Sequence, residues 1–154
     1  MVWVPQDGQN VRFYSKLQPD LVLAGDPALE FLYVHQMANG DAPDTTVFQL
    51  SVKDGPDYPF QVYMRNLTDA MDQKLSWTAG PNGRLLTLNP YYQDSGDADY
   101  FSYDTLDPDP WIAINNYTHD LVVDVYGSES YEGARIDGYA WNGGDNQWWR
   151  VVPA

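Results

Sequence analysis

Three aromatic residues recur at nearly equal intervals along this chain of 154 residues. Phe48, Phe101 and Trp149 each stand two positions after a polar residue. The two intervals are 101 − 48 = 53 and 149 − 101 = 48 residues. A unit of about 50 residues that is used three times is typical of an internal structural repeat. We therefore expect three similar lobes, each closed by one aromatic that packs into the core.

The segments between these aromatics consist of short apolar runs. Many of the runs are bounded by Gly, Pro, Asp or Asn, as expected for strands that are joined by turns. Helical periodicity is nearly absent, and 69–75 is the one weak helix candidate. The predicted strands are Val11–Ser15, Leu21–Leu23, Phe31–His35, Val47–Val52, Phe60–Met64, Leu85–Leu88, Trp111–Ile114, Leu121–Val125, Arg135–Tyr139 and Trp148–Val152.

Short strands arranged in three similar segments predict an all-β fold, a β-trefoil barrel. With 154 residues the chain can build one domain with a core, but it is too short for two. We expect a single domain over 1–154, with lobes at roughly 11–52, 53–105 and 106–154.

The composition restricts the kinds of partner. Eight basic against twenty-two acidic residues give a formal net charge of −14, which repels nucleic acid and anionic membranes. The chain has no cysteine, so it has neither a disulfide nor a thiolate metal site. His35 and His119 fall in different lobes, and the acidic run 104–109 does not follow the EF-hand spacing. We expect no metal and no cofactor.

The sequence shows no targeting or membrane segment. No stretch approaches the roughly 20 apolar residues of a membrane span, and the N-terminus has no basic region followed by an apolar run. A cytoplasmic protein without membrane insertion is the resulting expectation. The sequons Asn66-Leu-Thr and Asn116-Tyr-Thr are then expected to be structural.

The last third of the chain carries residue types that suit a ligand site. Asp124 is a carboxylate inside the apolar strand 121–125, and the amide pair Asn146-Gln147 stands just before Trp149. A carboxylate accepts hydrogen bonds from hydroxyl groups, amides bond in both directions, and an aromatic ring stacks on the apolar face of a sugar. Together these residue types indicate carbohydrate binding.

The same third resembles the ricin-B type lectin repeat, whose signature is Gln-x-Trp, here Gln147-Trp-Trp149. The chain is more similar still to the Euonymus-type lectins, a family of β-trefoil sugar-binding domains. The similarity covers 11–153, is strong in the last third and is diffuse between 17 and 47. The residues that carry it are Val11–Lys16, Val52–Asp54, Tyr58–Phe60, Pro90–Tyr91, Asn115–Asn116 and Trp141–Trp149.

The resemblance implies one carbohydrate site, in the third lobe. Asp124 matches the carboxylate that takes two sugar hydroxyls, and Tyr139 matches the stacking aromatic, which is usually Trp in the family. Asn146 matches the amide that binds a hydroxyl, and Gln147 matches the amide that supports the aspartate. Asp137 stands where ricin-type sites have Gln and Euonymus-type sites are often apolar. We expect this second carboxylate to alter the preferred sugar.

The first two lobes depart from the pattern. Ala24 falls near the aspartate position of lobe one, and neither lobe has a Gln-x-Trp motif. Asp72, Asn89 and Tyr91 are the candidates for a degenerate second site in lobe two.

The resemblance implies a lectin whose partners are galactose- or mannose-containing glycans. With one site per chain, cross-linking of glycans would require a dimer, for which a homodimer is the candidate, or a larger assembly. Three alternatives stay open. A β-trefoil protease inhibitor would act through an exposed loop, such as 40–44 or 80–83, and a carbohydrate module of a larger enzyme would keep the same site. A glycosidase would need two carboxylates that flank a glycosidic bond, and Asp124 with Asp137 is the one pair available.

Overall fold

The computed structural model describes residues 3–26, 32–37, 43–55, 57–65, 72–80, 83–105, 110–116 and 121–154, without the side chains of 78–80, 83–85 and 116. Within these residues the chain forms twelve strands and a few short 3₁₀ turns. No helix in the described ranges is long and apolar enough to cross a membrane. The strands are β1 (Asn10–Ser15), β2 (Leu21–Gly25), β3 (Leu32–Gln36), β4 (Phe48–Ser51), β5 (Gln61–Met64), β6 (Gln73–Gly80), β7 (Gly83–Pro90), β8 (Phe101–Asp104), β9 (Ala113–Asn116), β10 (Leu121–Val125), β11 (Ile136–Ala140) and β12 (Trp149–Pro153).

Six of the strands form a closed barrel. β1 pairs with both β12 and β4, β4 pairs with β5, and β8 pairs with β9. Two isolated bridges complete the ring: Phe60, next to β5, pairs with Phe101 of β8, and Ile112, next to β9, pairs with Trp149 of β12. Because the ring is closed, these strands have paired neighbours on both sides, and the barrel leaves no open edge.

The remaining six strands form three hairpins, β2–β3, β6–β7 and β10–β11, one in each four-strand unit. The hairpins also contact one another. Asp137 of β11 pairs with Leu85 of β7, and Arg135, just before β11, bridges to Tyr33 of β3. Six barrel strands and three hairpins, arranged in three successive units, make a β-trefoil. The predicted fold class is confirmed.

The aromatic repeat in the sequence marks the start of the last strand of each unit. Phe48, Phe101 and Trp149 open β4, β8 and β12, and all three are fully buried. The Phe48 ring lies 5.7 Å from that of Phe13, and the Phe101 ring lies 5.6 Å from that of Trp77. A 3₁₀ turn precedes each of the three strands, at Asp44–Thr46, Gly96–Asp99 and Asp145–Gln147. The repeat therefore has the core position that we expected, together with a local 3₁₀ turn that the sequence did not predict.

The sequence did not predict β6 and β8. The weak helix candidate 69–75 was wrong where it can be compared, because Gln73 begins β6 and this strand pairs with β7 along all eight of its residues. Cross-strand pairing over that length outweighs a weak local preference. Several segments to which the sequence analysis refers lie outside the described residues. They are the first sequon, most of the second, and positions 40–42, 69–71, 81–82 and 106–109.

Candidate functional site

A pocket with a volume of about 440 Å³ lies in the third unit, between the β10–β11 hairpin and the loop before β12. It contains four of the five side chains that the sequence singled out. Asn142 and the turn after β10 complete it. The lining residues are Asp124, Tyr126, Gly127, Ser128, Asp137, Tyr139, Asn142 and Asn146.

The hairpin register explains how three of these side chains come together. Asp124 of β10 stands directly opposite Asp137 of β11, so both carboxylates belong to the same cross-strand pair. Side chains two positions apart on a strand lie on the same face, so Tyr139 extends beside Asp137. Asp124 is buried at 4 % exposure, whereas Tyr139 is 53 % exposed. The pocket therefore has a carboxylate floor and an aromatic wall that is open to solvent.

Gly138 has a packing role beneath the β10–β11 hairpin. A Cβ atom at Gly138 would collide with the Trp77 ring of β6. Since neighbouring residues of a strand face opposite sides, the space beside Gly138 belongs to the core face. This glycine lets Trp77 pack beneath the hairpin.

Two amides hold Asp124 in place. Asn146 Nδ2 donates to Asp124 Oδ2 over 3.0 Å and to the Val125 carbonyl over 3.1 Å. Gln147 Nε2 donates to the same Asp124 oxygen over 2.8 Å and to the Ala140 carbonyl over 2.9 Å. The 3₁₀ turn that carries both amides thus fixes the carboxylate, and Asp124 Oδ1 is the oxygen that these amides leave for other partners.

Gln147 uses all of its hydrogen-bonding capacity within the protein. Besides its two donated bonds, its Oε1 accepts from the backbone N–H groups of Asn142 at 2.8 Å and Gly143 at 3.3 Å. It is fully buried and is not among the residues that line the pocket. Asn146 likewise spends both N–H groups on Asp124 and Val125, which leaves its Oδ1 as its acceptor for a ligand.

The two carboxyl groups of the pocket hold their protons unusually strongly. Burial raises the pKa of Asp124 to about 7; the hydrogen bond from Gln147 opposes this rise, while the charge and the side-chain hydrogen bond of Asp137 reinforce it. Burial also raises the pKa of Asp137, against the effects of its hydrogen bond with Asp124 and the positive charge of Arg135. A hydrogen bond between two carboxyl groups requires a proton, so the pair shares one near neutral pH. Nothing in the amino-acid pattern indicates this coupling.

The raised pKa of Asp124 predicts a pH-dependent effect of Asp124→Asn on stability. Above its ordinary pKa of about 4, Asp124 is deprotonated in the unfolded chain but keeps its proton in the folded one. Raising the pH from about 4 to about 7 therefore removes stability from the wild type, by at most about 1.4 kcal/mol per pH unit. The introduced asparagine cannot ionise, so the stability of the variant relative to wild type should rise across this window and level off above it. Urea unfolding at several pH values measures the difference.

Asp97→Asn is the matched control for this experiment, because it removes the same charge at an exposed position of the second unit. Its stability relative to wild type should show no comparable rise. Parallel stability curves for wild type and Asp124→Asn would show that the buried pair does not share a proton.

In the third unit, Asp124 of a hairpin strand contacts the 3₁₀ turn that precedes the last strand. The other two units have different residues at this contact. In the second unit, Lys74 of β6 forms a buried ion pair with Asp99 over 2.9 Å. In the first unit, the fourth residue of β2 is the buried Ala24, whereas the fourth residue of β10 is Asp124. Thr46 accepts a hydrogen bond from Arg12 over 3.0 Å. Neither arrangement presents a carboxylate to a pocket in the way that Asp124 does.

The predicted second site is only partly assembled. Tyr91 is 53 % exposed, and its backbone N–H donates to the Asp72 carbonyl over 3.1 Å. The Asp72 carboxylate is paired with Arg65 over 3.4 Å, and Asn89 Oδ1 accepts from Thr87 over 3.4 Å. The Asp72 and Asn89 side chains thus have different partners, the Tyr91 ring packs edge-on against Tyr92, and a ligand site among the three remains a prediction.

Four of the lining residues were not identified from the sequence: Tyr126, Gly127, Ser128 and Asn142. The first three form a 3₁₀ turn after β10 in which Gly127 has φ +64° and Ser128 has φ +54°. Glycine after an apolar strand signals such a turn, but it does not say which face the turn covers. Tyr126 is 57 % exposed and gives the pocket a second aromatic residue.

Comparisons with known proteins identify the fold. No protein-family model matches the sequence, and a search of curated proteins found no match. Among solved structures, the designed threefold-symmetric protein ThreeFoil is 19 % identical with a TM-score of 0.74, and the match covers 94 % of this chain and 99 % of that one. A ricin B-like lectin from Macrolepiota procera, in complex with lactose, is 11 % identical with a TM-score of 0.72 over 97 % and 99 % of the two chains.

A third match is to an enzyme. The exo-β-1,3-galactanase 1,3Gal43A from Clostridium thermocellum is 18 % identical with a TM-score of 0.73, and the match covers 99 % of this chain but 31 % of that chain. At these levels of identity the likeness establishes the fold alone, which is the β-trefoil.

Proposed function

We propose that this protein is a lectin that binds a glycan without chemical change, through the pocket of its third unit. The observation that carries the proposal is the pairing of a buried, amide-fixed carboxylate, Asp124, with an exposed aromatic ring, Tyr139, in one pocket. A pocket of this kind suits a ligand that has hydroxyl donors at one edge and an apolar C–H face, as a sugar ring does.

Each pocket residue has a specific role in this proposal. The carboxylates of Asp124 and Asp137 accept hydrogen bonds from sugar hydroxyls, and Asn146 accepts through its Oδ1. The ring of Tyr139 stacks on the sugar. Gln147 is a positioning residue, because its four hydrogen bonds hold Asp124 and the 142–143 backbone and leave none for a ligand.

The finer assignment, to an Euonymus-type lectin specific for galactose- or mannose-containing glycans, is also a proposal. The Gln147-Trp-Trp149 motif and the arrangement around Asp124 support it. The lactose complex of the Macrolepiota procera lectin supports a galactose-type ligand. Because the proposal places one site on each chain, a homodimer would supply the multivalency that cross-linking requires.

A hydrolytic role for the carboxyl pair is not supported by its geometry. Glycosidases of the two main types separate their carboxyl groups by about 5 to 9.5 Å, because the glycosidic bond or a water molecule lies between them. Asp124 and Asp137 are in hydrogen-bonding contact, which leaves no such space. The galactanase match supports the alternative in which a domain of this fold is one part of a larger enzyme, because the matched part is 31 % of that chain.

A glycan array tests the proposal, with Tyr139→Ala and Tyr91→Ala measured beside the wild type. Both tyrosines are 53 % exposed, so the two variants carry matched substitutions in different units. Stacking is worth about 1 kcal/mol, so Tyr139→Ala should weaken glycan binding about fivefold to tenfold. Tyr91→Ala should bind as the wild type does.

The array separates the two candidate sites. A loss confined to Tyr91→Ala would move the site to the second unit. A wild type that binds no glycan would contradict the lectin proposal and favour the loop-mediated inhibitor.

A further inference from the structure

We propose that the pocket prefers an amino sugar, that is, a sugar ring with a free protonated amine, over neutral and acidic sugars. This inference rests on the proposed lectin function and names the class of ligand for that site. It follows from the carboxyl pair, from the atoms that the pocket leaves unsatisfied and from the tyrosine beside them.

The pocket holds two carboxyl groups and no cation to balance them. Asp124 and Asp137 are direct cross-strand partners and both line it, and like charges placed opposite each other on a sheet repel. None of the lining residues in the described chain is Lys, Arg or His. Arg135 offsets part of the charge of Asp137 from outside the lining. A ligand that brings a positive charge therefore gains more here than a neutral one.

One pocket oxygen has no donor from the protein. Asp137 Oδ1 is buried and receives no hydrogen bond from any N–H group of the described residues. A ligand ammonium group can satisfy this oxygen, because it supplies several N–H donors and a full positive charge to both carboxyl groups at once.

An ammonium group fits the available oxygens better than a calcium ion does. Calcium takes six to eight oxygen ligands, whereas the pocket offers two carboxyl groups and the Asn146 Oδ1. The described residues contain no group of three or more side chains of the metal-binding types. Two carboxyl groups on one side of a bound amine are enough for a charge-assisted hydrogen-bonded contact.

The tyrosines favour an amine that is carried on a ring. Tyr139 extends from the same face of β11 as Asp137, two positions away, and is more than half exposed. A pyranose ring stacked on Tyr139 would carry its substituents toward the carboxyl pair. Tyr126 also lines the pocket, and a phenol ring attracts cations through its face. A small inorganic cation would leave the Tyr139 ring without a stacked partner.

Isothermal titration calorimetry tests the preference. The probes are the methyl glycosides of glucosamine and galactosamine, the matching neutral hexoses, the N-acetyl forms and glucuronic acid, all at pH 7 and low salt. At least one amine should bind about tenfold tighter than its neutral and N-acetylated counterparts. Glucuronic acid should not bind, and added salt should reduce the difference between amine and neutral sugar.

Two variants, each of which removes one negative charge, show which residue causes the preference for the amine. Asp137→Asn should weaken binding of the amine far more than binding of the neutral sugar, so that the preference for the amine is lost. Asp97→Asn removes a charge in the second unit and should keep the preference. An equal loss in both variants would assign the preference to the overall charge of the protein and overturn the inference.

The remaining outcomes are also decisive. Equal or tighter binding of the neutral sugars by the wild type would overturn the amine preference while leaving the lectin proposal intact. Binding of neutral sugars that occurs only on addition of calcium would identify a metal site instead. Failure of every sugar, on this panel and on the array, would contradict the lectin function itself.

Discussion

Replacing Trp149 by alanine should cost about 4 to 5 kcal/mol of unfolding free energy, which is the upper range for truncating a buried aromatic. Trp149 is fully buried, and its indole N–H donates to the Val123 carbonyl over 3.0 Å. Its backbone also exchanges two hydrogen bonds with Ile112, at 2.8 and 2.9 Å, at the place where the barrel closes. Since small domains are stable by about 5 to 15 kcal/mol, the variant should be marginally folded. Urea denaturation followed by circular dichroism measures the loss.

Two controls separate the sources of this loss. Trp149→Phe keeps most of the apolar volume but leaves the Val123 carbonyl without its donor, so about 1 to 3 kcal/mol should be lost. Trp141→Ala removes an indole that is 39 % exposed and contacts Trp148 edge-on, and it should cost much less. A Trp149→Ala variant as stable as Trp141→Ala would show that Trp149 does not anchor the third unit.

Asp124→Asn should lower the affinity for the glycan by about 10- to 100-fold, because hydrogen bonds to a charged acceptor contribute about 1.5 to 3 kcal/mol each. The amides of Asn146 and Gln147 would still need an acceptor, so the side-chain oxygen of the introduced asparagine would face them. Its NH₂ group would then point toward the ligand, and hydroxyl donors would meet a donor in place of Asp124 Oδ1. Titration calorimetry with the glycan found on the array measures the change.

The fold of Asp124→Asn should be preserved, because the substitution keeps the shape of the side chain and relieves the repulsion from Asp137. Unchanged circular dichroism is the check. The charge-matched Asp97→Asn should bind as the wild type does. Wild-type affinity in a folded Asp124→Asn variant would contradict the role of the carboxylate.

The fold could be predicted because its strongest signals are local and repeated. Phe48, Phe101 and Trp149 mark the three units in the sequence, and turn residues separate the strands. β6 was missed because its identity as a strand depends on its eight-residue pairing with β7. Pairing between segments is a property of the folded chain that local preference does not encode.

The site could be predicted as a set of side chains but not as an arrangement. The residue types of Asp124 and Asn146 indicated a sugar site and the family resemblance implied Tyr139, and the structure brings all three into one pocket. The resemblance assigned Gln147 to supporting the aspartate, but the sequence did not show that its hydrogen bonds are all made within the protein. The contact between the two carboxyl groups was not predicted either, because it depends on the register of Asp124 against Asp137.

An NMR titration of the isotope-labelled wild type with the glycan found on the array tests the central claim most directly, because it locates the ligand without altering the protein. We expect the largest shift changes in the third unit, at the backbone signals of Asp124, Asp137 and Tyr139 and at the side-chain amide of Asn146. The side-chain amides of Gln49 and Gln93, in the first and second units, should not move. Shift changes centred on Tyr91, or on neither tyrosine, would contradict the account.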